Sequence, residues 1–108
     1  MKLLVVVIAA LAFAVVALAD DMPTFEIVIK DHKFAPATLE VPAGKKIKLV
    51  VKNQDPTPEE FESYELNREK IIAGNSQAIV FIGPLDPGVY PFFGEFNQAT
   101  AQGKIIAK

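Results

Sequence analysis

An all-β fold, an antiparallel sandwich with Greek-key connections, is predicted from three observations. Short segments alternate apolar and polar side chains, the period-2 signature of strands with one buried face. Proline, glycine and asparagine separate these segments at regular intervals, as the turns of a sandwich require. No internal repeat, low-complexity tract or linker divides the chain, so the strands must share one core.

The first strand is Thr24 to Lys30, with Phe25, Ile27 and Ile29 on one face and Glu26 and Lys30 on the other. Phe34-Ala35-Pro36 interrupts it, and Thr38 to Val41 resumes briefly. Pro42-Ala43-Gly44 is a turn, Pro fixing one φ and Gly tolerating a positive one. Lys45 to Lys52 alternates again, with Ile47, Leu49 and Val51 inward and Lys46, Lys48 and Val50 outward. Asn53 to Pro58 holds two prolines and an aspartate and reads as a loop. Phe61 to Ile72 is ambiguous: Glu62, Glu65 and Glu69 would share a helical face opposite Leu66, but the strand-rich surroundings favour an irregular strand or turn. Ala73-Gly74-Asn75 turns the chain, Gln77 to Ile82 is a strand, and Pro84 to Gly88 turns it again. Val89 to Phe93 and Lys104 to Ala107 bring the count to about seven short strands.

The N-terminus reads differently. Lys2, an unbroken apolar run from Leu3 to Val16, and the small residues of Ala17-Leu18-Ala19 form the pattern of a secretory signal peptide cleaved after Ala19. The run falls short of the roughly 20 residues a spanning helix needs. The expected products are residues 1–19 as signal peptide and residues 20–108 as one exported, periplasmic domain. With no cysteine, the chain has neither a disulfide nor a cysteine-borne lipid anchor.

Composition excludes several functions. Losing Lys2 from eleven basic residues leaves ten against thirteen acidic ones, so nucleic acid, which needs a basic stripe, is no partner. Phosphate-loop glycines and nucleophile elbows are absent, and the serine-type hydroxyls in loops have no histidine partner close in sequence, His32 being the single histidine, which argues against triad chemistry. Six acids, Asp55, Glu59, Glu60, Glu62, Glu65 and Glu69, fall within fifteen residues.

Two blocks carry a resemblance. One runs from Phe34-Ala35-Pro36 through Val41-Pro42-Ala43-Gly44 to a strand ending at Asn53; the other runs from Pro87-Gly88 through Tyr90-Pro91-Phe92 to Gly103-Lys104-Ile105-Ile106. In this order, behind a signal peptide, they resemble the cupredoxins. With Glu59-Glu60-Phe61-Glu62-Ser63, Gly94-Glu95-Phe96 and Thr100-Ala101-Gln102-Gly103 they are similar to the periplasmic cupredoxin-like proteins of bacterial iron-uptake systems. The resemblance implies that Gly94 stands at the blue-copper cysteine position, Asn97 at a histidine position and Gln102 at the axial position, with the first histidine position near Glu60. It further implies a carboxylate site of Glu60, Glu62 and Glu95, with His32 as a fourth candidate, taking an iron or copper ion. Oxygen ligands suit harder ions such as iron better than Cu(I).

Each residue also has a plainer reading. Glu60 and Glu62 would serve as charges that discourage edge pairing, and His32 as a surface histidine. Glu65 and Glu69 are read as surface charge balanced by Arg68 or Lys70. Glu95, between Phe93 and Phe96, is expected to be a buried carboxylate in need of a partner. Three functions follow: a metal-binding accessory of iron uptake, with an inner-membrane iron permease and other periplasmic iron-uptake proteins as partners and a role in assisting Fe(II) oxidation rather than an independent enzyme activity; a copper electron carrier; or a metal-free docking module.

Overall fold

The computed structural model describes residues 22–108, so the expected signal peptide and its cleavage site lie outside the described residues. Among the described residues, nine strands form two sheets. The first sheet contains β1 (Thr24–Lys30), β2 (Lys33–Ala35), β4 (Ile47–Asn53) and β7 (Ser76–Ile82), in the order β2-β1-β4-β7. The second contains β3 (Thr38–Val41), β5 (Glu59–Ser63), β6 (Arg68–Ile72), β8 (Gly88–Gly94) and β9 (Gln102–Ala107), in the order β3-β9-β8-β5-β6. The sandwich is as expected, but its pairing is mixed. β1 pairs with β4 and β3 with β9 in parallel, and the remaining pairs are antiparallel. Between β1 and β4 the chain crosses to the second sheet through β3, so β4 returns beside β1 in the same direction.

The alternation sets the core. Ile27, Ile29, Ile47, Leu49 and Val51 are all fully buried, while Lys48 and Val50 are only half-buried on the other face. The second sheet contributes Phe61, Phe92 and Ile105. Phe92 stacks on Phe61 at 4.9 Å between ring centres, and Phe34 meets Phe92 edge-on at 4.9 Å, offset and T-shaped arrangements that add to simple area burial. Gly103 permits this packing, because a Cβ there would lie 2.4 Å from the Phe92 ring.

The ambiguous segment is a hairpin. Phe61 and Ser63 point inward with Glu59 on β5, and β6 returns antiparallel to it. The Ser63 hydroxyl donates to the Pro91 carbonyl at 2.7 Å and accepts the Leu66 N–H at 3.1 Å, and Asn67 closes the turn at φ 55°. A helix over this stretch would have drawn Phe61 and Ser63 off the core.

Replacing Phe92 by alanine is expected to cost about 3–5 kcal/mol of stability, the range for deleting a buried aromatic side chain. Val89→Ala, on the exposed outer face of the same strand, is expected to stay within about 0.5 kcal/mol. Urea unfolding of the two variants checks both.

Candidate metal centre

Two loop networks and one strand place the candidate ligands. Asn53, buried at the end of β4, donates its side-chain amide to the Thr57 carbonyl at 2.8 Å and the Ile72 carbonyl at 3.1 Å, and accepts the Asp55 N–H at 3.0 Å. Asp55, also buried, accepts the N–H groups of Asp31 at 2.8 Å and His32 at 2.9 Å. Those two residues form the tight β1–β2 turn with positive φ at both positions. The β4–β5 loop is thereby tied to two neighbouring turns before β5 begins.

β5 then sorts its carboxylates by parity. Glu60 and Glu62 point outward and are half-buried, while Glu59 points into the sandwich and is 2% exposed. On the outer face Glu62 stands opposite Glu69 of β6, and oxygens of Glu60, Glu62 and Glu69 lie within 4.8 Å of one another. Burial, and then the neighbouring Glu69 carboxylate, raise the Glu60 carboxyl above its ordinary range; burial, Glu69 and Glu60 do the same to Glu62. The charge of Glu95 adds to both effects.

The structure therefore groups Glu60 and Glu62 with Glu69, and Glu95 reaches them through its charge alone. Glu69 was expected to be balanced by Arg68 or Lys70, yet no ion pair among the described residues links it to either; the Arg68 guanidinium turns to the carbonyls of Phe81 and Asn67. Glu95 is half-buried rather than enclosed. His32 stands apart from the glutamates, exposed, with Nδ1 3.6 Å from an Asp55 oxygen. The His32 N–H, above all, holds the Asp55 carboxyl below its ordinary value, against the opposing effect of burial.

Inside the sandwich the unexpected residue is Glu59. Its Oε1 accepts the N–H of Glu60 at 3.0 Å and of Phe96 at 2.9 Å, and its Oε2 accepts the Asn97 side-chain amide at 2.7 Å. The carboxylate lies against Gly94, at the end of β8, where a Cβ would stand 2.7 Å from the Glu59 Cδ and 2.8 Å from Oε2. Gly94 and Asn97, with the 3-10 turn Glu95–Asn97 between them, thus close around Glu59. The signal for this was in the sequence: Phe61 must face the core, and two residues earlier on a strand is the same face.

The sequence profile of the cupredoxin-like domain matches residues 3–107. The chain belongs to the cupredoxin-like domain family. An uncharacterized protein of Rickettsia prowazekii (strain Madrid E), RP394, is 49% identical over 87 residues, which cover 81% of this chain and 70% of that protein. Among solved structures, auracyanin A, a "blue" copper protein from Chloroflexus aurantiacus, superposes with a TM-score of 0.70 at 15% identity, covering 82% of this chain and all of the other (100%). Amicyanin from Paracoccus versutus gives 0.59 at 17% identity, covering 85% and 86%. A chain of a heme-copper terminal oxidase dimer gives 0.66 at 17%, with 80% of this chain spanning 65% of that one. At such identities the likeness shows the fold alone.

The cupredoxin-like chain does not fit a blue copper centre, which rests on a thiolate and two imidazoles. It has no cysteine and one histidine, and that histidine is held at the β1–β2 turn by Asp55. Gln102 is exposed, and its amide donates to the Gln98 carbonyl at 2.8 Å instead of facing the interior. Beside Gly94, the Glu59 carboxylate is hydrogen-bonded to the loop.

The two displaced groups of carboxylates give stability opposite pH dependences in chelator. Folded Glu60 and Glu62 hold protons that the unfolded chain releases near the ordinary value of 4.5. Their contribution is complete below that pH and is lost as pH rises through their raised folded values. Asp55 acts the other way: its contribution is present above its ordinary value of 3.8 and is lost as pH falls through its lowered folded value. Unfolding midpoints measured across pH should therefore lose their upper slope in a Glu60→Gln, Glu62→Gln double variant and their lower slope in Asp55→Asn.

Proposed function

We propose that the chain is an exported periplasmic protein that binds iron through carboxylates on the outer face of its second sheet and serves as an accessory to iron uptake. The observation that carries this reading is the convergence of Glu60, Glu62 and Glu69 oxygens within 4.8 Å, with the Glu95 charge acting on Glu60 and Glu62. Mutually repelling carboxylates of this kind are relieved by a cation, and an all-oxygen set favours a hard ion over Cu(I). Export rests on the N-terminal pattern, and the link to an inner-membrane iron permease rests on the Glu59–Ser63 and Gly94–Phe96 motifs.

A site of this composition holds Fe(III) better than Fe(II), because added positive charge gains more from fixed carboxylates. The protein would thereby favour oxidation of bound Fe(II) by an external acceptor, without being an oxidase by itself. The copper-carrier reading has the enclosed Glu59 carboxylate against it, since Gly94 has no room for a thiolate beside that side chain. The docking reading keeps the same acidic face and gives it a protein partner instead of an ion.

Metal analysis of protein recovered from the periplasm, followed by titration with Fe(II), Fe(III), Cu(II) and Mn(II), separates these readings. Saturable iron binding is expected, weakened about 10-fold or more by Glu60→Gln, Glu62→Gln or Glu69→Gln, since even indirect support of a metal ligand carries that much affinity. His32→Ala should leave it unchanged. Absence of saturable iron binding would remove the iron reading, and equal loss from His32→Ala would remove this placement of the site.

A further inference from the structure

We infer that Glu59 takes the place of the metal ion in this fold: the interior ligand pocket is filled by the chain's own carboxylate, which closes the pocket to copper and holds the end loop in its final shape with no ion present. The resemblance sets the copper-ligand positions near Glu60 on β5 and at Gly94 and Asn97, at and just past the end of β8. Here the same two segments are joined by Glu59 of β5, through the Phe96 N–H at 2.9 Å and the Asn97 amide at 2.7 Å.

The fit is tight on every side. Glu59 is 2% exposed, and its oxygens are met by three donors, from Glu60, Phe96 and Asn97. A buried carboxylate held this way resists loss of a donor, because the charge would be left uncompensated. Gly94 is required by the same packing: a Cβ there would collide with both the Glu59 Cδ and the Ala101 Cβ, each at 2.7 Å. Residue 94 and residue 59 are therefore coupled choices. A thiolate at 94 needs residue 59 to withdraw, and Glu59 needs residue 94 to lack a side chain. Asn97 is coupled as well, because it must present a donor to Oε2. The departures from copper ligation at these positions form one mutually consistent set rather than separate losses, and this holds whether or not the outer face binds iron.

The test is a swap of donor and acceptor, read as denaturant midpoint in chelator at pH 7 with protein expressed from the full-length gene. Asn97→Asp places two carboxylates against each other and should lower the midpoint. Adding Glu59→Gln to it restores one donor against one acceptor and should recover most of the loss, while Glu59→Gln alone, able to pair with a reversed Asn97 amide, should have a small effect. Gly94→Cys with Glu59 intact should also lower the midpoint and show no intense thiolate band with Cu(II). Glu59→His, Gly94→Cys and Asn97→His together should gain that band. An Asn97→Asp loss that Glu59→Gln does not recover would overturn the inference. So would a Gly94→Cys protein that matches the wild type in stability or takes up Cu(II) with a thiolate band. Should the triple variant fail to fold, the Asn97→Asp and Glu59→Gln pair decides alone.

Discussion

The Glu59 carboxylate is the interaction on which the site end of the molecule depends. It accepts the N–H of its neighbour Glu60 and, from the turn just past the Phe61–Gly94 pairing, the Phe96 N–H and the Asn97 side-chain amide. Without it, the Glu95–Asn97 turn would be anchored chiefly by the Gly94 and Ala101 backbone pairing, and three donors would face a buried space. Its position also explains why the neighbouring glutamates lie outside. Once parity places residue 59 in the core, residues 60 and 62 emerge on the outer face, where β6 supplies Glu69 opposite Glu62. One inward carboxylate, Glu59, and two outward ones, Glu60 and Glu62, thus share a single cause in the pleat of β5.

The loop that delivers β5 is fixed by polar side chains rather than by apolar packing. Asn53 and Asp55 are both buried and satisfy backbone groups of the β1–β2 turn, of their own loop and of the β6 end. Gly74 completes this region, because a Cβ there would fall 2.1 Å from the Pro56 carbonyl oxygen. These contacts account for the short loop and for the place of His32. Its turn serves as an attachment point for Asp55, which keeps it with that carboxylate and apart from the glutamates.

Much of this was legible from the residues. The strands with clean alternation, Phe25 to Ile29 and Ile47 to Val51, appear with the expected faces inward, because a one-residue slip would expose every apolar side chain. Strand direction was not legible: alternation is the same for parallel and antiparallel partners, so the β1–β4 and β3–β9 pairings appear only in three dimensions. The hairpin from Phe61 to Ile72 was obscured by glutamates whose spacing also fits a helix. Resemblance placed the first ligand position near Glu60, one residue from the side chain that enters the core, and Phe61 was the local clue to the right parity. Glu69 was legible as a charge but not as a neighbour of Glu62, since that contact is made across a strand pair.

The central claim, that a carboxylate performs the structural work of an absent ion, is tested most directly by amide hydrogen exchange at Phe96 in chelator. That N–H lies in a short 3-10 turn, in a residue that is itself exposed, and its hydrogen bond is to Glu59. The account predicts exchange slowed to the level of the core amides of β8 and β9, opening only with global unfolding. Exchange at the rate of an open loop, slowed only on addition of metal, would contradict it.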